Sequence, residues 1–227
     1  MTRDARLAQQ AVRVYRRYAV EIVEALGFCP YAQRCREEGR TREVVLSAPI
    51  PEDPDVLGAI EQIAEDERVE IGLLLFPRLS CPRAKLGRWV EHLRKAHAAK
   101  RGAAVLALEG FHPDATADTT SADRLTPFVR RTPDPTVQLT RLCVLDRVRR
   151  GTPQGTAFFD PSSMDVHALL EETAKPPLHD RIAQHNLESV LALGASEVAR
   201  RMDAILRDRD AAYLAIDPEI PRRLASG

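Results

Sequence analysis

The sequence predicts an α/β fold: a small, mostly parallel three-stranded sheet with flanking helices, followed by a C-terminal helical segment. An α+β fold is the alternative. Two observations predict this class. Between residues 40 and 112, β-rich apolar segments alternate with helical segments in the order β-α-β-α-β, and glycine or proline marks most of their ends. Since right-handed crossovers usually join such strands, most of the sheet is expected to be parallel.

An amphipathic helix over residues 3–26 precedes the sheet, because apolar residues recur there at a spacing of three or four. Gly27 is suited to end this helix, since glycine readily adopts the left-handed conformation of a helix C-terminus. Cys29 and Pro30 have the pattern of a capping residue followed by proline at the first helical position. They predict a short second helix that ends near Glu38.

Three strands and two helices are predicted for the core. The strands lie at 42–47, 69–76 and 103–108, and the helices at 53–64 and 82–100. The second strand is apolar at almost every position, as expected for a strand covered on both faces. Parallel strands place their carboxyl ends at one edge of the sheet, where binding sites tend to form. Residues 76–78 and 109–112 are therefore expected to share that edge.

The following segment has a weaker pattern. Residues 113–135 show almost no hydrophobic period and predict a long irregular loop, which in a compact domain is usually functional or disordered. For residues 136–145 both strand and helix stay open. The spacing of the leucines favours a helix slightly, with Thr136 as its cap.

The domain organisation follows from these elements. We expect residues 1–215 to form a single domain and residues 216–227 to form a loose tail. The remaining predicted segments are a polar linker at 150–163 and C-terminal helices at 165–174, 178–193 and 196–210.

Composition excludes several function classes. Lys and Arg number 33 and so do Asp and Glu, so the net charge of zero gives no global electrostatic argument for nucleic acid or an anionic membrane, and neither is expected as a partner. No apolar run approaches the ~20 residues that span a bilayer, and the N-terminus is not a secretory signal. The four cysteines lack a CxxC pair, which argues against a zinc knuckle or a disulfide framework. We expect a cytoplasmic protein with a small-molecule ligand; its cofactor and oligomeric state stay open.

Four sequence blocks resemble a bacterial family known as domain of unknown function 1415. They are Phe-Cys-Pro-Tyr-Ala at 28–32, Gly-Phe-His-Pro-Asp at 110–114, Arg-Thr-Pro-Asp-Pro-Thr at 131–136, and His-Asn-Leu at 185–187 with Leu-Gly at 193–194. The chain departs from the family's pattern at Arg130, Asp134 and Gln138, where that pattern has Asn, Tyr and His. The resemblance implies family membership and brings no established activity.

Cys29 is the first candidate site residue. A thiol at a helix N-terminus meets free backbone N–H groups that lower its pKa and favour a nucleophilic thiolate. The alternative is a small buried hydrophobic side chain, since free cysteine is commonly buried. Because the Cys-Pro-Tyr segment follows a helix and not a strand, it does not predict thioredoxin-like chemistry.

His112 and four arginines complete the candidate set. His112 follows a buried strand and could act as a general base or metal ligand, or could instead bond the loop backbone. Arg131 and Arg141 could present guanidinium groups to a carboxylate or phosphate, or could hold the long loop through carbonyl oxygens. Arg42 and Arg78 are further candidates for substrate binding. Four other histidines on predicted helices are expected at the surface, namely His92, His97, His167 and His179.

The leading hypothesis is an enzyme that acts on a small anionic molecule, with Cys29 supplying the thiol and His112 proton transfer. One alternative is a non-enzymatic binding or interaction protein. Another is a metal- or haem-binding protein that uses Cys29 and His112, although nothing in the spacing demands a metal. Whether the protein is an enzyme stays open at this level.

Overall fold

The computed structural model describes residues 1–149 and 178–224, which contain eight α-helices, a π-helical segment and a four-stranded sheet. The helices are α1 (Arg3–Tyr18), α2 (Ala32–Glu37), α3 (Asp53–Glu65), α4 (Arg83–Arg101), α5 (Ala122–Val129), α6 (Leu142–Arg149), α7 (Leu178–Leu193) and α8 (Ala195–Leu214). The strands are β1 (Thr41–Val45), β2 (Ile71–Leu75), β3 (Leu106–Phe111) and β4 (Thr136–Arg141). The predicted linker and the helix at 165–174 lie outside the described residues.

The sheet has four strands in the order β1-β2-β4-β3, and it is mixed. β1 and β2 are parallel, whereas β4 runs antiparallel to both β2 and β3. The α/β class fits, but the prediction of three mostly parallel strands is wrong, because β4 inserts between β2 and β3. Thr136 pairs with Leu75 on one side and with Phe111 on the other. The carboxyl ends of β2 and β3 therefore share one edge, as the sequence predicts.

β4 occupies most of the segment for which a helix was favoured. Thr136, Val137, Leu139 and Thr140 are buried, as expected for a central strand covered on both faces. Such a strand lacks the alternation of polar and apolar residues that identifies a half-buried strand. The leucine spacing that favours a helix joins Leu139 of β4 to residues of α6, so it mixes two elements.

α5 lies within the predicted irregular loop, so that prediction is wrong for residues 122–129. Ser121 caps the helix, because its Oγ accepts a hydrogen bond from the N–H of Arg124 at 3.3 Å. Leu125 and Phe128 are the buried residues of this helix. Pro127 lies inside the helix, and an internal proline is normally taken as a helix breaker.

The two faces of the sheet support two hydrophobic clusters. On one face Ile71, Leu73 and Leu75 pack with α1, α5, α7 and α8. On the other face Leu74 and Leu139, among others, pack with α3 and α4. Alternate residues of one strand thus contribute to different clusters, as the side-chain geometry of a strand requires.

The chain passes from α1 through a π-helical segment (Ala19–Glu24) and then turns at Gly27. Gly27 has φ of +65°, and an added Cβ would lie 2.9 Å from Nε2 of His185. Glycine is therefore required both by the backbone and by this close approach. α2 begins at Ala32 with Tyr31 as its N-cap, so the prediction that Cys29 and Pro30 start the helix is wrong. Cys29 lies in the turn before it.

A buried ionic network joins the end of β2 to α8 and the C-terminal segment. Arg209 donates to Oδ1 of Asp134 at 2.9 and 3.0 Å and to the carbonyl oxygen of Pro77 at 2.9 Å. Tyr213 donates its hydroxyl to Oδ2 of Asp134 at 2.6 Å. In the segment predicted as a loose tail, Ile220 is buried. None of the described helices combines the length and apolar composition that a bilayer-spanning helix requires.

Candidate functional site

A cavity of about 250 Å³ lies against the sheet face that carries Leu73. We call it the Cys29 cavity, because the whole 28–32 turn lines it. The π-helical segment, α5 and α7 contribute further wall residues. Its apolar and aromatic wall side chains include Tyr15, Tyr18, Phe28, Tyr31, Ile71, Leu73 and Phe111. A mainly apolar concavity with a few polar groups is the usual form of a small-molecule site.

Residues of all four strands line the cavity on its sheet side. Glu43 of β1, Leu73 of β2 and Gln138 of β4 pair across the sheet and lie side by side on the same face. Gln138 donates through Nε2 to Oγ1 of Thr140 at 3.3 Å. The sheet thus contributes one carboxylate and one carboxamide to a cavity that is otherwise largely apolar.

Two buried polar atoms of cavity-lining residues have no hydrogen-bond partner among the residues that the structure describes. They are the hydroxyl oxygen of Tyr18 and Oδ1 of Asn186. Tyr18 is 1% exposed and Asn186 is 7% exposed, so bulk water does not satisfy either group. A buried polar group without a partner typically destabilises a protein by about 1–3 kcal/mol, and it therefore requires an explanation.

Cys29 is partly buried on the wall of the cavity. Burial raises the pKa of its thiol, and the backbone N–H groups of Tyr31 and Ala32 offset only part of this effect. The sequence-based expectation was a lowered pKa, which rested on a helix start at Cys29. Because α2 begins three residues later and the thiol is buried, the thiol is protonated at neutral pH.

Tyr15 and Tyr18, two of the three tyrosines that line the cavity, share this environment. Their rings make an edge-to-face contact with centroids 5.6 Å apart. Burial raises the pKa of Tyr18, and the adjacent Cys29 raises it further. Burial also raises the pKa of Tyr15, with smaller contributions from Tyr18 and Cys29. Both phenols and the thiol are therefore neutral hydrogen-bonding groups over the physiological pH range.

The charged residues of the cavity wall are engaged in ion pairs within the protein. Arg16 binds Glu43 through two hydrogen bonds of 2.7 and 3.2 Å. Arg36 binds Glu24 in the same two-point manner at 2.7 and 2.8 Å. A third wall arginine, Arg130, donates to Glu109 at 2.9 Å.

His112 is not among the side chains that line the Cys29 cavity. It is buried, and its Nε2 lies 2.8 Å from the carbonyl oxygen of Cys81. Its Nδ1 accepts a hydrogen bond from the N–H of Asp114 at 3.1 Å. Both ring nitrogens are therefore bonded to backbone groups, and the structure does not bring Cys29 and His112 together in one cavity.

None of the candidate arginines lines the Cys29 cavity. Arg131 donates to the carbonyl oxygen of Pro113 and to Asp203, whereas Arg141 donates to four backbone carbonyls between residues 63 and 69. Arg78 pairs with Asp4 and Asp217. Arg42 lies in β1 between two cavity residues, so strand alternation places it on the opposite face.

Metal binding has no support in the described residues. Within 1–149 and 178–224, no group of three or more His, Cys, Asp or Glu side chains is placed to hold a metal ion. Cys29 and His112 consequently do not form the start of such a group in this part of the chain.

Comparison with known proteins agrees with the first three sequence blocks, whereas the fourth block lies beyond the matched residues. The family model described as "Protein of unknown function (DUF1415)" matches residues 10–176. The chain belongs to this family. No curated protein and no solved structure matches the chain. Members of three sequence blocks line the cavity, namely Cys29, Phe111 and Asn186, and Arg130 and Gln138 line it as well.

Several cavity residues were not identified from the sequence. Tyr15 and Tyr18 lie three residues apart on the apolar face of α1, where a phenolic hydroxyl is an unusual polar group. Gln138 lies between apolar neighbours in β4, which is a second signal of the same kind. Glu43 gave no local signal, and Asn186 was marked only as part of the His-Asn-Leu block, because both reach the cavity through sheet pairing and helix packing.

Proposed function

We propose that the protein binds a small organic molecule in the Cys29 cavity. The observation that carries this proposal is the pair of buried, unpartnered atoms, the Tyr18 hydroxyl and Asn186 Oδ1, which no described residue satisfies. A bound molecule that offers hydrogen-bonding groups to both would remove this destabilisation. Binding would therefore complete a set of interactions that the polypeptide leaves open.

Local backbone structure supports the same proposal. The π-helical segment begins directly after Tyr18, and its residues Ala19 and Val23 line the cavity. Single π-helical turns inside α-helices are rare, and they occur frequently at functional sites. The volume of about 250 Å³ suits a metabolite-sized molecule and not a peptide or a large cofactor.

Thiol chemistry is a second candidate for the same cavity. It is favoured by the N–H groups of Tyr31 and Ala32, which act on the Cys29 thiol and would stabilise a thiolate. Such an enzyme would start from a protonated thiol, and its proton would pass to a substrate group or to a cavity side chain. His112 is already bonded at both nitrogens and is not the base in this version of the hypothesis.

The binding proposal is tested by an NMR titration. Indole, a small aromatic probe with one N–H donor, is added to protein whose methyl groups carry 13C. We expect saturable NMR shifts at the methyl groups of Ile71 and Leu73, which face the cavity. The methyl groups of Ile60 and Leu106, in the cluster on the opposite sheet face, should not shift.

A cavity-filling variant and a matched control make this test specific. Ala183 lines the cavity, whereas Ala192 is exposed on the same helix, α7. Ala183→Trp should abolish the indole shifts, and Ala192→Trp should leave them unchanged. Persistence of the indole shifts in Ala183→Trp would refute the proposal, and so would the absence of saturable shifts both with indole and with benzamide, a neutral aromatic amide.

A further inference from the structure

We propose that the ligand of the Cys29 cavity is an uncharged molecule with an amide-like group, which donates a hydrogen bond to Asn186 and accepts one from Tyr18. This inference rests on the proposed binding function and specifies its ligand class. It replaces the anionic substrate that the sequence suggested. Three features of the cavity support an uncharged ligand. The charged side chains of the wall are paired, their arginines lie on the solvent side, and the remaining polar groups of the wall are neutral.

The first feature is that the wall carboxylates are already neutralised. Glu43 and Glu24 each accept two hydrogen bonds from one guanidinium, with all four distances between 2.7 and 3.2 Å. Two-point arginine–carboxylate pairs are among the strongest polar contacts in proteins. A ligand cation would have to displace an arginine to reach either carboxylate.

The second feature is that the arginines lie on the solvent side of these pairs. The side chain of Glu43 is 12% exposed and that of Arg16 is 61% exposed. The corresponding values are 8% for Glu24 and 38% for Arg36. An anionic ligand group deep in the cavity would thus meet buried carboxylates before guanidiniums. It would lose its hydration without gaining a counter-ion, which is strongly unfavourable.

The third feature is that the remaining polar groups are neutral. Oδ1 of Asn186 can only accept a hydrogen bond, whereas the Tyr18 hydroxyl can donate one. An amide group supplies both an N–H donor and a carbonyl acceptor. An amide also complements Asn186 if the oxygen and nitrogen of that side chain are exchanged. The Asn186 amide nitrogen would then donate to the ligand carbonyl, and the ligand N–H would donate to the Tyr18 hydroxyl.

Three probes of nearly the same shape test the charge preference. Benzamide, benzoate and benzamidinium share a phenyl ring with a planar head group, and they carry charges of zero, −1 and +1 near neutral pH. The readout is the NMR titration of the Ile71 and Leu73 methyl groups. We expect benzamide to bind at least about tenfold more tightly than either ion, because each ion would be desolvated without a partner.

Two variants test the hydrogen-bonding groups. Tyr18→Phe and Asn186→Leu should each weaken benzamide binding by about tenfold, the usual effect of removing one partner of a buried hydrogen bond. Tyr213→Phe is the matched control, because its hydroxyl is also buried but bonds Asp134 and does not line the cavity. Benzamide affinity should be unchanged in this variant.

Each result separates the ligand class from the binding function. If benzoate or benzamidinium binds as tightly as benzamide, or if indole binds and benzamide does not, the uncharged amide-like ligand is refuted while the cavity remains a binding site. Unchanged benzamide affinity in both Tyr18→Phe and Asn186→Leu would also refute it. If neither indole nor benzamide shifts the cavity methyl groups, the proposed function itself fails.

Discussion

Replacing Tyr18 by phenylalanine should stabilise the ligand-free protein. The side chain is 1% exposed, and its hydroxyl has no hydrogen-bond partner in the part of the chain that the structure describes. Tyr18→Phe keeps the ring, its edge-to-face contact with Tyr15 and nearly all of the side-chain volume. The substitution therefore removes an unsatisfied polar atom, which destabilises a folded protein by about 1–3 kcal/mol.

The change in stability of Tyr18→Phe can be compared with that of the same substitution at a second buried tyrosine, Tyr213. Tyr213 is also fully buried, but it donates its hydroxyl to Asp134 at 2.6 Å. Hydrogen bonds to charged groups contribute about 1.5–3 kcal/mol, so Tyr213→Phe should destabilise by about that amount. In a chain of this size, 1 kcal/mol corresponds to a Tm shift of about 2–4 °C. We expect Tm to rise for Tyr18→Phe and to fall for Tyr213→Phe.

Urea unfolding followed by circular dichroism, together with calorimetry on ligand-free protein, measures both changes. The two substitutions delete the same atom from buried rings, so the hydrogen-bonding state of each hydroxyl is the main difference between them. A loss of more than about 0.5 kcal/mol in Tyr18→Phe, beyond the usual effect of a neutral substitution, would show that this hydroxyl is already bonded. The main support for the binding proposal would then disappear.

Two further predictions concern the thiols and the pH dependence of stability. Because burial raises the pKa of Cys29, iodoacetamide should modify it more slowly than the exposed Cys143 near neutral pH, and the rate at Cys29 should rise through alkaline pH. Peptide mass spectrometry measures both rates. Equal rates at neutral pH would contradict the raised pKa of Cys29. Hydrogen bonds from Arg13 and Arg17 lower the pKa of Asp208, although burial opposes them. This pair of contacts between α1 and α8 should therefore stabilise the fold fully above the unfolded pKa of about 4, and the stabilisation should be lost as pH falls through the lower folded pKa. Urea midpoints at pH 6 and pH 3 should show a smaller acid-induced loss for Asp208→Asn than for the original protein, and an equal or larger loss would contradict it.

The order of elements could be predicted from the sequence wherever the signal is local. The helix at the N-terminus, β1, α3, β2 and α4 each carry their own periodicity and end signals, and they lie close to the predicted positions. β4 carries no such signal, because both of its faces are covered. Its insertion between β2 and β3 depends on pairing with strands distant in the sequence, and it makes the sheet mixed instead of parallel. No pattern within residues 136–141 specifies these neighbours.

Local patterns also fail where burial depends on a partner element. The prediction that His97 lies at the surface is wrong, since it is 1% exposed and its Nδ1 lies 2.7 Å from Oε1 of Glu61. Arg101 binds the other oxygen of the same carboxylate at 2.8 Å. His97 and Arg101 of α4 both bond the carboxylate of Glu61 in α3, which offsets the burial of these polar groups, whereas Nε2 of His97 has no hydrogen-bond partner among the described residues. The sequence shows each residue but not the pairing between the helices.

The same limit applies to the candidate site. Cys29 could be selected because a thiol followed by proline is locally distinctive, and it does line a cavity. The groups that determine its chemistry come from α1, β1, β4 and α7. Tyr18 and Asn186, which carry the binding proposal, lie more than a hundred positions apart in the sequence. Arg131 and Arg141 have sequence contexts that suit anion binding, yet their donors bond within the protein.

One physical cause links the chemistry of Cys29 to the ligand class. The apolar side chains that line the cavity disfavour any unpaired charge inside it, so the thiol of Cys29 and the phenols of Tyr15 and Tyr18 are protonated there. An ionised ligand group would meet the same unfavourable environment, because the wall arginines are already bound to carboxylates. A neutral thiol and a neutral ligand are therefore expected together. If a thiolate is shown to form at neutral pH in the intact protein, the cavity must be more polar than its lining indicates, and the case against an anionic ligand weakens with it.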